Sequence, residues 1–271
     1  RNVYMLLQAT RPRSVHLLPM LLSHQAPLTG EEHSNRVFLF EALNREVPEP
    51  VVAALIEAAT VRDLWEERFD GGRFIDYALA HLASRRMPKS CERLLDLGAD
   101  AGWASADSRH CALCSAAGSN NIETVRVLLR RGADARHVHQ KDSGLLDRAA
   151  ASAGREVVLE LVRAGADPNP PSRQPIRNAI ERLNLAAART LIDAGAKLDE
   201  QMLSDAILRG SPEHVEMLLG LGVPVRATGN GAQWQEMSHA EQARQWATDD
   251  PTDRRRRVLS LIETAQQPTR R

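Results

Sequence analysis

Aromatic side chains are scarce in this 271-residue chain, 4% against 43% hydrophobic residues. Its core therefore has to be built mostly from Ala, Leu, Val and Ile, which suits closely approaching helices better than a Tyr- and Trp-rich β-sandwich. Net charge is absent too, because 35 basic residues balance 35 acidic ones. Nucleic-acid binders carry a basic excess, since phosphate neutralisation dominates their affinity, so no nucleic-acid partner is expected. Three cysteines are an odd number scattered through helical pattern. They make no disulfide framework and favour a reducing compartment. No stretch reaches the roughly 18 uninterrupted apolar residues of a membrane span. Arg11, Pro12, Arg13 and His16 break the N-terminal apolar runs that a signal peptide would need intact. The expectation is a soluble intracellular protein without a membrane partner, cytoplasmic, with a nuclear location left open. The chain begins at Arg1 rather than Met, as a piece of something longer would.

Catalytic signatures are missing as well. There is no G-x-S-x-G and no P-loop, and Gly229-Asn230-Gly231 lacks the lysine and the flanking strand. Asp100, Asp134 and Asp167 stand at a repeated turn position, where an aspartate stabilises the turn. The chain is read as a non-enzyme with no cofactor. Cys111-x-x-Cys114, with His110, His137 and His139 nearby, offers thiolate and imidazole of the kind zinc takes. No second Cys-x-x-Cys or His-x₃-His completes a tetrahedral set, so no metal is expected, and Cys91 is read as core. The run Arg254–Arg257 follows Asp249, Asp250 and Asp253 and precedes an apolar helix. A solvated cap face explains it better than a nucleic-acid patch.

What is present is a repeat. Leu94–Asp100, Leu128–Asp134 and Leu161–Asp167 each end in Gly-Ala-Asp, and weaker copies surround Gly195 and Gly222. The glycine-to-glycine steps are 34, 33, 30 and 27 residues. Gln25, Ala59 and Ala265 take the glycine's place in three further copies. Four positions before the turn stands leucine in all eight: Leu21, Leu55, Leu94, Leu128, Leu161, Leu191, Leu218 and Leu261. Apolar columns three and seven before the turn share its helical face, so each copy ends in an amphipathic helix. The glycine just past that helix fits a left-handed C-cap, where a Cβ would be penalised. A shorter helix precedes it, marked by Ala9, Ala42, Ala78, Ala116, Ala149, Ala179, Ala206 and Ala243.

This pattern resembles the ankyrin repeat family, whose unit runs roughly T-P-L-H-x-A-A before its second helix and L-L-x-x-G-A-D after it. Cys111-Ala112-Leu113-Cys114-Ser115-Ala116-Ala117 leading to Leu128–Asp134 is the copy nearest to it. The Thr-Pro-Leu-His opening is degenerate throughout. In the family those Thr and His side chains fix the turn, so their loss points to lower or less uniform stability. The resemblance implies an all-α, ankyrin-type helix–loop–helix solenoid with short β-hairpin fingers. It would form a single array over 1–271, with repeats near 3–27, 36–62, 72–101, 110–135, 143–168, 173–198, 200–225 and 236–266, the last a polar-faced cap. Linkers of 14 to 16 residues leave room for fingers in the N-terminal half, whereas 165–176 is short and Pro-rich and 195–203 has almost no room. The 222–240 linker reads as a flexible loop.

The resemblance also implies a function: a scaffold or adaptor that binds a partner protein on its concave face and fingers. The alternative is a regulatory or substrate-recruiting ankyrin domain of a larger enzyme or effector. Trp and Arg dominate protein interfaces. Trp103 is placed in the finger after Asp100, where exposure and packing beneath the hairpin weigh evenly. Arg136, His137, His139, Lys141 and Asp142 fall in the next finger, with Arg109 and His110 beside it. The cluster suits an acidic partner segment. Trp65 and Trp246 are expected to pack on helices near the ends. The protein is expected to be monomeric.

Overall fold

A computed structural model describes residues 48–61, 65–66, 68–69, 72–105, 111–136, 144–171, 174–226, 237–249 and 253–266. Among them are thirteen α-helices and one two-stranded ribbon. After α1 (Glu49–Val61) come β1 (Arg68–Phe69) and β2 (Gly72–Arg73), which pair antiparallel. Helix pairs follow: α2 (Phe74–Leu82) with α3 (Pro88–Asp96), and α4 (Ala112–Gly118) with α5 (Ile122–Arg130). Next are α6 (Leu145–Ser152) with α7 (Arg155–Arg163), and α8 (Pro175–Glu181) with α9 (Leu185–Asp193). The last are α10 (Glu200–Leu208) with α11 (Pro212–Gly220), and α12 (His239–Asp249) with α13 (Asp253–Gln266). The chain divides into two compact units. The first is Arg1–Leu145 with Arg163–Ala166, and the second is Leu146–Val162 with Asp167–Arg271.

The second helix of each pair stops for a local reason. Gly98, Gly132, Gly165, Gly195 and Gly222 have φ between 85° and 97°, the left-handed region. This reverses the backbone, and the next N–H returns to the leucine four before the glycine. Ala99 donates to the Leu94 carbonyl, Ala133 to Leu128, Ala196 to Leu191 and Val223 to Leu218, at 2.8–3.1 Å. These are Schellman closures, and they satisfy carbonyls that a helix end would otherwise orphan. Ala59 and Ala265 stand where the turn was expected, yet lie inside α1 and α13. Without glycine the left-handed turn is penalised, and the helix runs on.

The core of each unit is made of small apolar columns. Leu55, Leu94, Leu128, Leu161, Leu191 and Leu218 have no exposed surface, and the alanines of the first helices lie buried opposite. In the last pair the column shifts. Val258 and Ile262 are buried, while Leu261 is half-exposed, because no further described helix covers that side of α13. Trp65 sits in the turn after α1 rather than on a helix, and it is core. Its ring stacks on Phe74 at 5.9 Å and its Nε1–H donates to Thr60 Oγ1 at 2.9 Å.

The intra-pair turn also takes the left-handed conformation, at Arg86, Asn120, Leu183 and Gly210, with φ of 53° to 61°. The second helix then starts on a side-chain cap where the residue allows one. Asn121 Oδ1 accepts from Thr124 N–H, and Asn184 Oδ1 from Ala187 N–H. Both asparagines also turn their amide backwards. Asn121 Nδ2 donates to the Ala83 carbonyl at 3.0 Å, and Asn184 Nδ2 to those of Ala150 and Ala153. Each thus caps its own helix and pins it to the preceding pair.

Candidate partner-binding surface

The fingers grow from an aspartate turn. Asp100, Asp134 and Asp167 each accept the N–H of the residue two positions on, Gly102, Arg136 and Asn169, at 2.8–2.9 Å. This Asx turn is made by the short carboxylate itself and fixes how the chain leaves the helix pair. Beyond it, Ala104 and Cys111 bridge antiparallel and close the base of one finger. The β1–β2 ribbon is another finger, in the linker before α2. No strand forms in the described residues of 165–176 or in 195–203. Asn169 instead ties two successive turns together there, donating to the Gly195 carbonyl and accepting from Lys197 N–H.

Two of the eight proposed contact residues can be placed. Trp103 is half-buried. Its indole lies against Gly72 of β2, so closely that a Cβ there would sit 2.3 Å from Nε1. It therefore presents part of one edge and uses the rest to cover the preceding finger. Arg136 is three-quarters exposed and stands over the next turn, its Cγ and Cδ 3.6 Å from where a Cβ on Gly165 would be. Asp134 holds its backbone N–H at 2.9 Å and approaches its Nε at 3.3 Å. Arg109, His110, His137, His139, Lys141 and Asp142 lie outside the described residues.

A second surface, along α8 and α10, was not foreseen. Arg177 reaches Asp205 at 2.7 Å, and Arg209 reaches Glu181 at 3.3 Å, both pairs spanning 28 residues. Between them Ile180, Met202 and Ala206 floor a shallow depression, with His214 at its side. The pairs run in opposite senses, so the surface is locally neutral. Opposite charges one repeat period apart are visible in the sequence and could have marked it.

Polar staples account for the degenerate opening motif. The residue after the apolar position of the first helix is Asp76, Cys114, Asp147, Arg177, Ser204 or Glu241, and the described partners differ in kind. Asp76, almost fully buried, accepts from Asp100 N–H at 2.7 Å and pairs with Arg73 at 3.0 Å. Arg73 in turn donates to the Gly98 carbonyl. Asp147 accepts from Asn178, Arg177 meets Asp205, and Ser204 faces His239. Glu241 and Ser238 form a reciprocal capping box at the start of α12. The motif Ser238-x-x-Glu241 was there to be read.

The cysteines are buried thiols. Burial pushes the Cys91 thiol up to about 12, far from nucleophilic use. Cys111 Sγ accepts from Cys114 N–H at 3.3 Å and caps α4. Among the described residues no three His, Cys, Asp or Glu side chains gather as a metal set would. Arg254, Arg256 and Arg257 are exposed on α13. Arg254 pairs with Glu213, Arg257 with Glu216 and Arg256 with Asp253.

A family model of ankyrin repeats matches residues 79–172, in three copies. Among solved structures, the crystal structure of the human ASB11 ankyrin repeat domain superposes with a TM-score of 0.56 at 19% identity, covering 71% of this chain and 85% of that one. No curated protein matches the sequence. Residues 79–172 match the ankyrin-repeat family model, and the chain takes the ankyrin-repeat fold.

Proposed function

We propose that this chain is a non-catalytic scaffold or adaptor module that holds a partner protein on its fingers and on the face of its first helices. Ankyrin repeats generally serve as protein-interaction modules, and the family and fold are typically non-catalytic. The contact residues we assign are Trp103, Arg109, His110, Arg136, His137, His139, Lys141 and Asp142. The observation that carries the assignment is Arg136, an exposed guanidinium on a backbone already fixed by Asp134. An anchor ordered before binding loses less entropy when it docks. Its charge and the neighbouring finger residues favour an acidic segment of the partner.

We further propose that the module works as a monomer in the cytoplasm. Its buried free thiols suit a reducing compartment, and among the described residues no helix is long and apolar enough to cross a membrane. The test is affinity capture from the source cell with wild type and Arg136→Glu. The partner recovered by wild type should fall at least tenfold with the variant. Equal recovery would refute the finger assignment.

A further inference from the structure

His239 opens α12 and has no exposed surface. Its Nδ1 lies 2.8 Å from the backbone nitrogen of Arg226, an atom that can only donate. Nδ1 is therefore the bare acceptor, and the ring proton sits on Nε2, 3.2 Å from Ser204 Oγ on α10. The His239 N–H returns a bond to the Arg226 carbonyl at 3.1 Å. One imidazole thus joins α10, α12 and the irregular segment that leaves α11.

The charged groups acting on the ring are Arg226 on that segment and Glu200 on α10, themselves 3.7 Å apart. Among the described residues, Asp205 on α10 is engaged by Arg177, Glu241 on α12 by Ser238, and Glu263 on α13 by Arg244. Burial first, and Arg226 second, hold the His239 pKa below its ordinary value, with Glu200 opposing.

We propose that His239 is an acid-operated latch: a proton on Nδ1 sets donor against donor, breaks the Arg226 bond and loosens α12 from α10, and with it α13, which packs on α12. The direction follows from linkage. An exposed histidine titrates at about 6.5, and the buried ring titrates lower. The opened state therefore takes up the proton first as pH falls. The contact is at full strength above that pH and weakens as pH drops toward the folded value.

Hydrogen exchange of the α12 and α13 amides, corrected for intrinsic rates, tests this between pH 7.5 and 5, above ordinary carboxylate titration. Protection in wild type should fall below pH 6.5 by up to about tenfold per pH unit, the limit for one proton, while α4 and α5 stay level. His239→Asn keeps an acceptor near Nδ1 but cannot titrate, so its α12 protection should be flat. PH-independent wild type, or an equal fall in His239→Asn, would overturn the latch. Should that variant fail to fold, nitrogen NMR of wild type decides. Nδ1 unprotonated at pH 7.5, titrating together with the α12 amides, supports the proposal. Nδ1 protonated at pH 7.5, or a ring that titrates without moving those amides, refutes it.

Discussion

At the scale of single residues, backbone sign separates two positions that look alike from outside. Gly98 has φ of 97° and open space around its Cα. Leu183 has φ of 55° and is 44% exposed. A side chain in this region costs about 1–2 kcal/mol. Gly98→Ala should therefore destabilise by about 1 kcal/mol with no steric clash. Leu183→Gly should stabilise by about 0.5–1 kcal/mol, after the entropy glycine adds to the unfolded chain. Urea midpoints of the two variants should move in opposite directions; movement the same way would show that the turn conformation is not what sets their stability. Trp103 gives a sterically driven contrast. Gly72→Ala must displace its indole and should shift the tryptophan emission. An unchanged spectrum would mean the two do not touch.

At the scale of helices, the double use of asparagine can be taken apart. Asn121→Asp keeps the cap on Thr124 N–H but loses the donor to Ala83, while Asn121→Ala loses both. Loss of a cap costs about 1 kcal/mol, and a buried carbonyl left without its donor about 1–3 kcal/mol. Thermal melts should rank wild type, Asp, then Ala. Equal midpoints for Asp and wild type would mean the bond between pairs contributes nothing. These asparagines also mark the boundary of what was legible beforehand. Glycines and leucines repeat by identity, since one backbone sign and one packing volume recur, and so the turns and the core could be read directly. The staples recur by role instead. Asp76, Asp147, Arg177 and Ser204 share a position but not a chemistry, and no column of like residues betrays them. Trp103 was undecided because its cover, Gly72, lies 31 residues upstream. The finger cluster was chosen by composition alone, and of it Arg136 and Trp103 have described positions.

For the whole molecule, two ladders of charge and one of leucine compete as sources of stability. Glu57–Arg93 and Asp96–Arg131 in the first unit, and Glu213–Arg254 and Glu216–Arg257 in the second, join neighbouring helix pairs on the outside. All are exposed, so solvent and salt screen them and each contributes little. A buried leucine replaced by alanine costs about 2–5 kcal/mol. Leu191→Ala should therefore lower the melting temperature by many degrees, while Arg257→Ala barely moves it. Because repeat stability is set by adjoining pairs, exchange protection in Leu191→Ala should fall in α8–α11 and hold in α3–α5. A uniform fall would indicate one cooperative unit.

The mismatched staples have a consequence for how the chain finds its order. Asp147 needs an amide from the next repeat, Arg177 a carboxylate, Ser204 an imidazole. Were two repeats exchanged, each junction would set a polar group against the wrong complement, and the penalty would fall on the misassembled state rather than the native one. Identical repeats could stack in any sequence; these carry a pairwise address.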